Sequence, residues 1–478
     1  MAQNLMRDTD LLAEALDRLQ REFAALPHYT PEVPGEGRMT AVLAEAAQRM
    51  GDNFPYFHPL YAGQMLKPPH PVARAAYAMA MWLNPNNHAL DGGRASSRME
   101  WEAVREIAAM FGWREFIGHL TGGGTLANLE ALWVVGQMMP GKKVVASEQA
   151  HYTHERISGV LKLPFASIPC DELGRMDVAH LEAALASGEA GTVVATLGTT
   201  GSGAVDPLGR ILDLRKKYRF RVHVDAAYGG YFRLASNLAD DAAGAFERIA
   251  EADSIVVDPH KHGLQPYGCG CVLFRDPAMG RWYKHDSPCT YFTSQELHIH
   301  GGTSEAAQPG ASCSVGTFAA ELFAEGSLHL GEISLECSRA GASAVALWTT
   351  QKLLPLVRGG EFARQVEKCR EAALRLHSTI VSDKRFVAGP APDLDIVVFA
   401  VRAPTVAESS RRAQEVFDRA AANDLHLALA QMPTRLFPGA GWTDAVEGRM
   451  VTCLRSVLMK PEHLTWVEQI GERLCQAV

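Results

Sequence analysis

The chain has 478 residues, 47% of them apolar and 21% charged, with a formal net charge of −8, which suits a globular protein of two or three domains with substantial cores. The acidic balance, without a dominant basic patch, excludes nucleic acid as the expected partner, and no apolar run approaches the length of a membrane span. Nine scattered cysteines without a CxxC pair, and a start that lacks the basic and apolar regions of a signal peptide, lead to the expectation of a cytoplasmic protein with no membrane partner.

Leu12, Leu16, Leu19 and Phe23 recur at helical spacing over residues 11–26, and Pro27 closes that helix. After the Pro/Gly-rich stretch 31–37 a second helix is expected over 40–50. Neither can form a core alone, so both are expected to clasp another part of the chain or a second subunit. Residues 53–65 are rich in aromatics and prolines without a period. Packing beneath a loop and a substrate pocket that includes Phe57 and His58 are both open readings of that stretch.

From about Asn87 to Phe274, helix-like and strand-like segments alternate: helices over 98–111 and 125–138, strands over 143–146, 193–197, 221–224 and 254–257. Such alternation implies βαβ units on a mostly parallel sheet, and hence an α/β fold. Residues 298–316 are dominated by Gly, Ser, Ala and Thr and read as a mobile loop or an insertion. A helix over 343–354 then leads into a smaller C-terminal α/β domain, with strands over 395–401 and 450–458, a helix over 406–423 and a last helix after Pro461. The expected organisation is an N-terminal helical arm (1–86), a large domain (87–345, with an insertion at about 299–328) and a small C-terminal domain (346–478).

Two strand ends carry the chemistry. Ser254-Ile-Val-Val257 runs into Asp258-Pro259 and then presents His260 and Lys261; upstream, Arg221-Val-His-Val224 runs into Asp225 and the small residues Ala226 and Ala227. In open parallel sheets ligands sit at the carboxyl ends of strands. A lysine that can hold an aldehyde, and a carboxylate that can keep a ring nitrogen protonated, are what pyridoxal phosphate requires. From residues 254–263 alone, a surface lysine in a loop is the competing reading.

Thr121-Gly-Gly-Gly-Thr125 opens a helix with bared backbone N–H groups, an anion site suited to phosphate or else a tight turn. It does not match the dinucleotide fingerprint. Gly136 to Lys143 has the spacing of a nucleotide P-loop, but Lys143 stands where a magnesium-binding hydroxyl belongs, and the segment precedes a strand. His151 follows the strand 143–146, where an imidazole can stack on a pyridine face or be a hydrogen-bonded loop histidine. Thr199 and Thr200 offer hydroxyls at another strand end.

Together, Thr121-Gly-Gly-Gly-Thr125, His151, Gly198-Thr-Thr200, His223-Val-Asp-Ala-Ala-Tyr-Gly229 and Asp258-Pro-His-Lys261 resemble the group II pyridoxal-phosphate-dependent amino-acid decarboxylases, over roughly residues 50–460. The resemblance implies a fold-type-I, aspartate-aminotransferase-like architecture, pyridoxal 5'-phosphate as cofactor, and a homodimer with its active site at the interface. It implies that Lys261 carries the cofactor, Asp225 pairs with the ring nitrogen, and His151 stacks on the ring with Ala227 on the other face. Gly123, Gly124, Thr125 and His260 would hold the phosphate, and Thr200 would lie near the ring hydroxyl. Ser338, beside Arg339, would reach the phosphate across the dimer interface, and Arg455 would meet the substrate carboxylate. By itself, Arg455 reads as a strand arginine in a surface ion pair.

The chain departs from the family pattern at Leu126, where many relatives carry Glu, and at Asp258, which stands for the Asn of animal aromatic decarboxylases and is closer to archaeal tyrosine decarboxylases and sphingosine-phosphate lyases. Residues 299–328 interrupt what relatives of that branch join directly, and Tyr291, shortly before them, is a candidate proton donor. His285, His298 and His300 lack carboxylate or cysteine partners at ligand spacing, so no metal is expected. The implied activity is decarboxylation of an L-amino acid to its amine and carbon dioxide, with an aromatic substrate slightly favoured. The alternatives are a carbon–carbon lyase of the sphingosine-phosphate-lyase type and a catalytically disabled cofactor-binding regulatory protein.

Overall fold

The computed structural model describes residues 2–33, 35–283, 334–446 and 448–478. Tyr291, the three histidines His285, His298 and His300, and the insertion at 299–328 lie outside the described residues.

Seven strands form the central sheet: β1 (Ile117–Thr121), β2 (Lys143–Ser147), β3 (Phe165–Ile168), β4 (Ala190–Thr196), β5 (Arg221–Asp225), β6 (Ser254–Val257) and β7 (Gly270–Phe274), in the order β1-β7-β6-β5-β4-β2-β3. The pairs β3/β2, β2/β4, β4/β5 and β5/β6 are parallel. Only β7 runs against the rest, pairing antiparallel with β6 and β1. Every residue of β4, β6 and β7 is buried, as expected of strands covered by helices on both faces. Thr196 pairs with Asp225 and Asp225 with Val256, so the ends of β4, β5 and β6 open onto one edge.

The expected strands are present within one to three residues, whereas β1, β3 and β7 have no counterpart in the sequence reading. The helix expected over 98–111 begins earlier, spanning Leu90–Met110, and leaves helical geometry at Gly93. Gly270 explains how β7 fits beside the glycine-rich loop: a Cβ there would lie 2.5 Å from the Gly123 carbonyl carbon.

A second, antiparallel sheet is formed by β8 (Phe386–Ala388), β9 (Ile396–Val401), β10 (Ala428–Pro433) and β11 (Met450–Val457), in the order β10-β11-β9-β8. Val224, Leu394, Ile396 and Phe437 belong to one apolar cluster that joins the two sheets. A buried polar seam reinforces the joint: Tyr228 donates to Asp395 at 2.6 Å, and His262 lies 3.1 Å from the other Asp395 oxygen. The aromatic stretch 53–65 is tied to the small sheet, with Ala62 N–H donating to the His426 carbonyl and Val457 N–H to that of Ala62.

At the N-terminus, the helix Ala2–Glu22 packs against the helix Pro71–Met81, and Asp8 pairs with Arg74. The helix Glu36–Met50 leaves Val42 62% and Leu43 69% exposed. Among the described residues no helix is long and apolar enough to cross a membrane.

Candidate active site

A cavity of about 520 Å3 lies at the carboxyl edge of the central sheet, within the ~300–1,000 Å3 usual for small-molecule sites. Each strand end delivers part of its wall. The end of β1 supplies Gly123, Gly124 and Thr125; that of β2 supplies His151; that of β4 supplies Thr200; those of β5 and β6 supply Asp225, Ala227, His260 and Lys261.

The β6 end is a tight turn in which Lys261 N–H donates to the Asp258 carbonyl at 2.9 Å. The turn brings Lys261 Nζ to 3.1 Å from Asp258 Oδ2. His260 Nδ1 lies 2.8 Å from the Cys269 carbonyl, and since a carbonyl can only accept, Nδ1 carries the proton. Burial lowers the His260 pKa against the pull of Asp258. The helix Gly124–Met138 starts directly over this turn. A Cβ on Gly124 would lie 2.6 Å from Asp258 Oδ2, and Gly123 adopts φ 149°, a conformation open to glycine. The first amides of that helix have no intrahelical acceptor, which suits them to an anion.

Asp225 is buried, which by itself opposes its charge, but a 2.8 Å hydrogen bond from His154 Nε2 and the charges of His154 and Lys261 outweigh that cost. Its carboxyl is held below the usual range. Ala227 N–H donates to the second oxygen at 3.1 Å. His151 is half-buried; its Nδ1 accepts from Thr153 N–H and lies 2.7 Å from the Thr153 hydroxyl. Burial lowers its pKa, Asp225 and Lys261 pulling in opposite directions, so it faces the cavity as a neutral ring.

Arg455 stands on β11 of the small sheet and is not among the residues that line the cavity. It is 4% exposed; Nε donates to the Gly201 carbonyl and Nη1 to that of Gly63, both at 3.1 Å, while Nη2 is buried without a partner. An unpaired buried guanidinium nitrogen is costly unless a ligand satisfies it, and a carboxylate is its natural complement. A neighbouring carboxylate, a glycine cradle that no larger side chain would fit, an ionised Asp225 and an open Arg455 nitrogen fit pyridoxal phosphate with a bound amino acid.

Comparison with known proteins decides the identity. Residues 129–279 match the pyridoxal-dependent decarboxylase conserved domain. The chain is 28% identical over 496 residues to the L-tyrosine decarboxylase of Enterococcus faecium, covering 81% of this chain and 76% of that protein. It is 30% identical over 257 residues to the "Probable L-tyrosine/L-aspartate decarboxylase" of Methanosphaerula palustris, covering 53% of this chain and 68% of that one. The chain belongs to the group II pyridoxal-phosphate-dependent decarboxylases.

It is therefore a pyridoxal-phosphate-dependent carboxy-lyase that acts on an amino acid. The fold agrees: the structure of Oryza sativa TDC with PLP and tryptamine superposes with a TM-score of 0.72 at 19% identity, covering 99% of this chain and 97% of that one. Mouse CSAD in apo form gives 0.71 at 20% identity, covering 96% and 91%.

Not every expected site residue of this decarboxylase is at the cavity. Phe57 and His58 line a different cavity with Lys67 and Lys460, and His58 packs edge-on against Trp466 at 4.9 Å. Ser338 is exposed and accepts from Asn86 Nδ2 at 3.0 Å. Arg339 turns beneath the glycine loop to Glu100 and the Leu120 carbonyl, both at 2.6 Å. Thr199 is buried, its hydroxyl accepting from Ala204 N–H, so only Thr200 of that pair faces the cavity. His154 and Asn128 are polar neighbours of Asp225 that the sequence reading omits. Each had a signal: His154 lies one helical turn beyond His151, and Asn128 one turn beyond Gly124.

Proposed function

We propose that the protein is a homodimeric decarboxylase of aromatic L-amino acids, L-tyrosine foremost, acting in the cavity around Lys261. The observation that carries the reading is the unpaired, buried Nη2 of Arg455 beside Gly201, one residue from the Thr200 that lines the cavity. When bound, pyridoxal phosphate supplies an aldehyde for attachment and a ring that accepts the electron pair left at Cα as the carboxylate departs.

The chain's own residues do the rest. Lys261 is the amine that holds the cofactor, steadied by Asp258. Asp225, kept ionised, would hold a proton at the ring nitrogen. Gly123, Gly124, Thr125 and His260 would hold the phosphate, and Thr200, His151 and Ala227, on the same cavity wall, would confine the ring. Arg455 binds the substrate carboxylate in a buried setting, where the pairing is stronger than in water.

The preference for an aromatic substrate rests on the tyrosine decarboxylases among the relatives and on the Phe54, Tyr56, Tyr61 and His426 cluster. Its rings contact one another at 4.9–6.4 Å, one short step along the chain from Gly63, which Arg455 holds. Dimerisation is supported by the exposed Val42 and Leu43 and by Phe57, His58 and Ser338, which lie away from the cavity of their own chain. The arm (1–86), large domain (87–345) and small domain (346–478) are the proposed units of that assembly. A reducing cytoplasm is supported by seven described cysteines, all unpaired.

The test is a substrate panel on purified protein with pyridoxal phosphate: L-tyrosine, L-phenylalanine, L-tryptophan, L-aspartate and L-glutamate, with amine and carbon dioxide both followed. The highest kcat/KM is expected for an aromatic substrate. Turnover confined to L-aspartate or L-glutamate would reject the aromatic assignment.

A further inference from the structure

We infer that His154 is a positioning residue for the decarboxylation, holding Asp225 ionised and in place beneath the cofactor ring. The inference rests on the proposed pairing of Asp225 with the ring nitrogen.

His154 and Asp225 are both almost wholly buried, and Nε2 lies 2.8 Å from Oδ2. His154 Nδ1 is buried with no partner, while Nε2 faces a carboxylate oxygen that can only accept, so Nε2 carries a proton and donates it. The same Asp225 oxygen also receives Asn128 Nδ2 at 3.4 Å. The orientation of that amide is set from behind: His223 Nε2 lies 2.8 Å from Asn128 Oδ1, and His223 Nδ1 lies 2.8 Å from the Ser254 hydroxyl. A coherent proton order follows, in which Ser254 donates to His223, His223 to Asn128, and Asn128 and His154 to Asp225. Ala227 N–H occupies the other oxygen.

His154, Asn128, His223, Lys261 and His151 surround this carboxylate, and the acid that shares the cavity, Asp258, is paired with Lys261 at 3.1 Å. His154 makes the shortest of the contacts to Asp225. Its place on the helix Thr153–Val160, three residues after His151, lets one short segment carry both the ring-facing imidazole and the support of the carboxylate. Loss of His154 would leave a buried anion with one strong donor fewer, which weakens its hold on a protonated ring nitrogen and so the ring's capacity to accept electrons.

The experiment compares the holoenzyme with His154→Phe, His154→Gln, His154→Asn and Asp225→Asn. Three quantities are read: the dissociation constant for pyridoxal phosphate, the pH dependence of the bound cofactor's absorption, and kcat separately from KM. Gln reaches the Nε2 position with an N–H donor; Asn is too short.

His154→Phe and His154→Asn are expected to lower kcat about ten-fold, the scale of one hydrogen bond to a charged group, with KM little changed. They are also expected to weaken cofactor binding and shift the absorption profile, while His154→Gln stays near wild type. If Asp225→Asn changes all three quantities and the His154 variants change none, the role of His154 is overturned. If Asp225→Asn changes none of them, the underlying reading of Asp225 fails instead. Should His154→Phe not fold, the contrast between Gln and Asn decides alone: equal behaviour of the two overturns the inference.

Discussion

Lys261 Nζ sits 3.1 Å from Asp258 Oδ2, and the other Asp258 oxygen is buried without a partner. The lysine is thus the main counter-charge of a carboxylate that is itself almost fully buried. Lys261→Ala should therefore lose stability as well as cofactor attachment, because it strands a buried charge. A cost of about 1–3 kcal/mol is expected, and Lys261→Ala with Asp258→Asn should recover most of it. Urea unfolding of the wild type, both single variants and the double variant checks this; additive losses would contradict it.

Arg455→Lys keeps the charge but not the fork. A single ammonium cannot hold the Gly201 and Gly63 carbonyls and also meet a substrate carboxylate. We expect kcat/KM to fall roughly 10- to 100-fold, equivalent to the loss of a charge-assisted hydrogen bond. Steady-state kinetics at matched cofactor occupancy provide the check, and wild-type kinetics would remove Arg455 from the substrate site.

Acid should destabilise the fold through two buried histidines. Burial holds His223 and His463 neutral and depresses each pKa from 6.5 to about 3, with His154 and Lys460 respectively adding to the effect. Between pH 6.5 and 3 the unfolded chain takes up protons that the folded chain refuses. The stabilisation is complete above 6.5 and is lost as the pH falls, by about 1.4 kcal/mol per histidine per pH unit. Asp206, which burial pushes up to about 7 from 3.8, opposes one of the two across most of that window. Unfolding free energies measured from pH 7 to pH 4 should decline, and less steeply in His223→Gln. A flat profile would contradict this.

The exposed face of the helix Glu36–Met50 gives a test of assembly. Leu43→Glu places a charge where the proposed partner buries an apolar side chain, and it should shift the protein from dimer to monomer in sedimentation velocity, with loss of turnover. A dimer that persists unchanged would move the interface elsewhere.

Much of the site is legible in the sequence because of one geometric constraint. His151, Asp225 and Lys261 each follow a short run of apolar or small residues, and in a parallel sheet such runs end at one edge. The same logic fails for β7: Gly270-Cys-Val-Leu-Phe274 is apolar throughout, carries no directional signal, and runs antiparallel. β1 is obscured by Gly118 and His119, although Gly118 is needed there, since a Cβ would lie 2.4 Å from the Val272 carbonyl oxygen. The helix Glu361–Ser382 is a different case. Phe362, Val366, Cys369, Ala373, Leu376 and Ile380 are all buried on one face, a spacing the sequence displays openly.

The pairing of Asn128 with His223 behind Asp225 is not legible in the sequence. Asn128 and His223 are 95 residues apart, and only the packing of the helix Gly124–Met138 on the sheet makes them partners. For Phe57 and His58, aromatic composition announces a packed region but not its direction, and His58 turns onto Trp466.

The most direct measurement is product stoichiometry from L-tyrosine with purified protein and pyridoxal phosphate, with Lys261→Ala in parallel. Carbon dioxide and amine are expected in equal amounts from the wild type and neither from the variant. Carbon dioxide released at an undiminished rate by Lys261→Ala would contradict the assignment of the chemistry to the cavity at the end of β6.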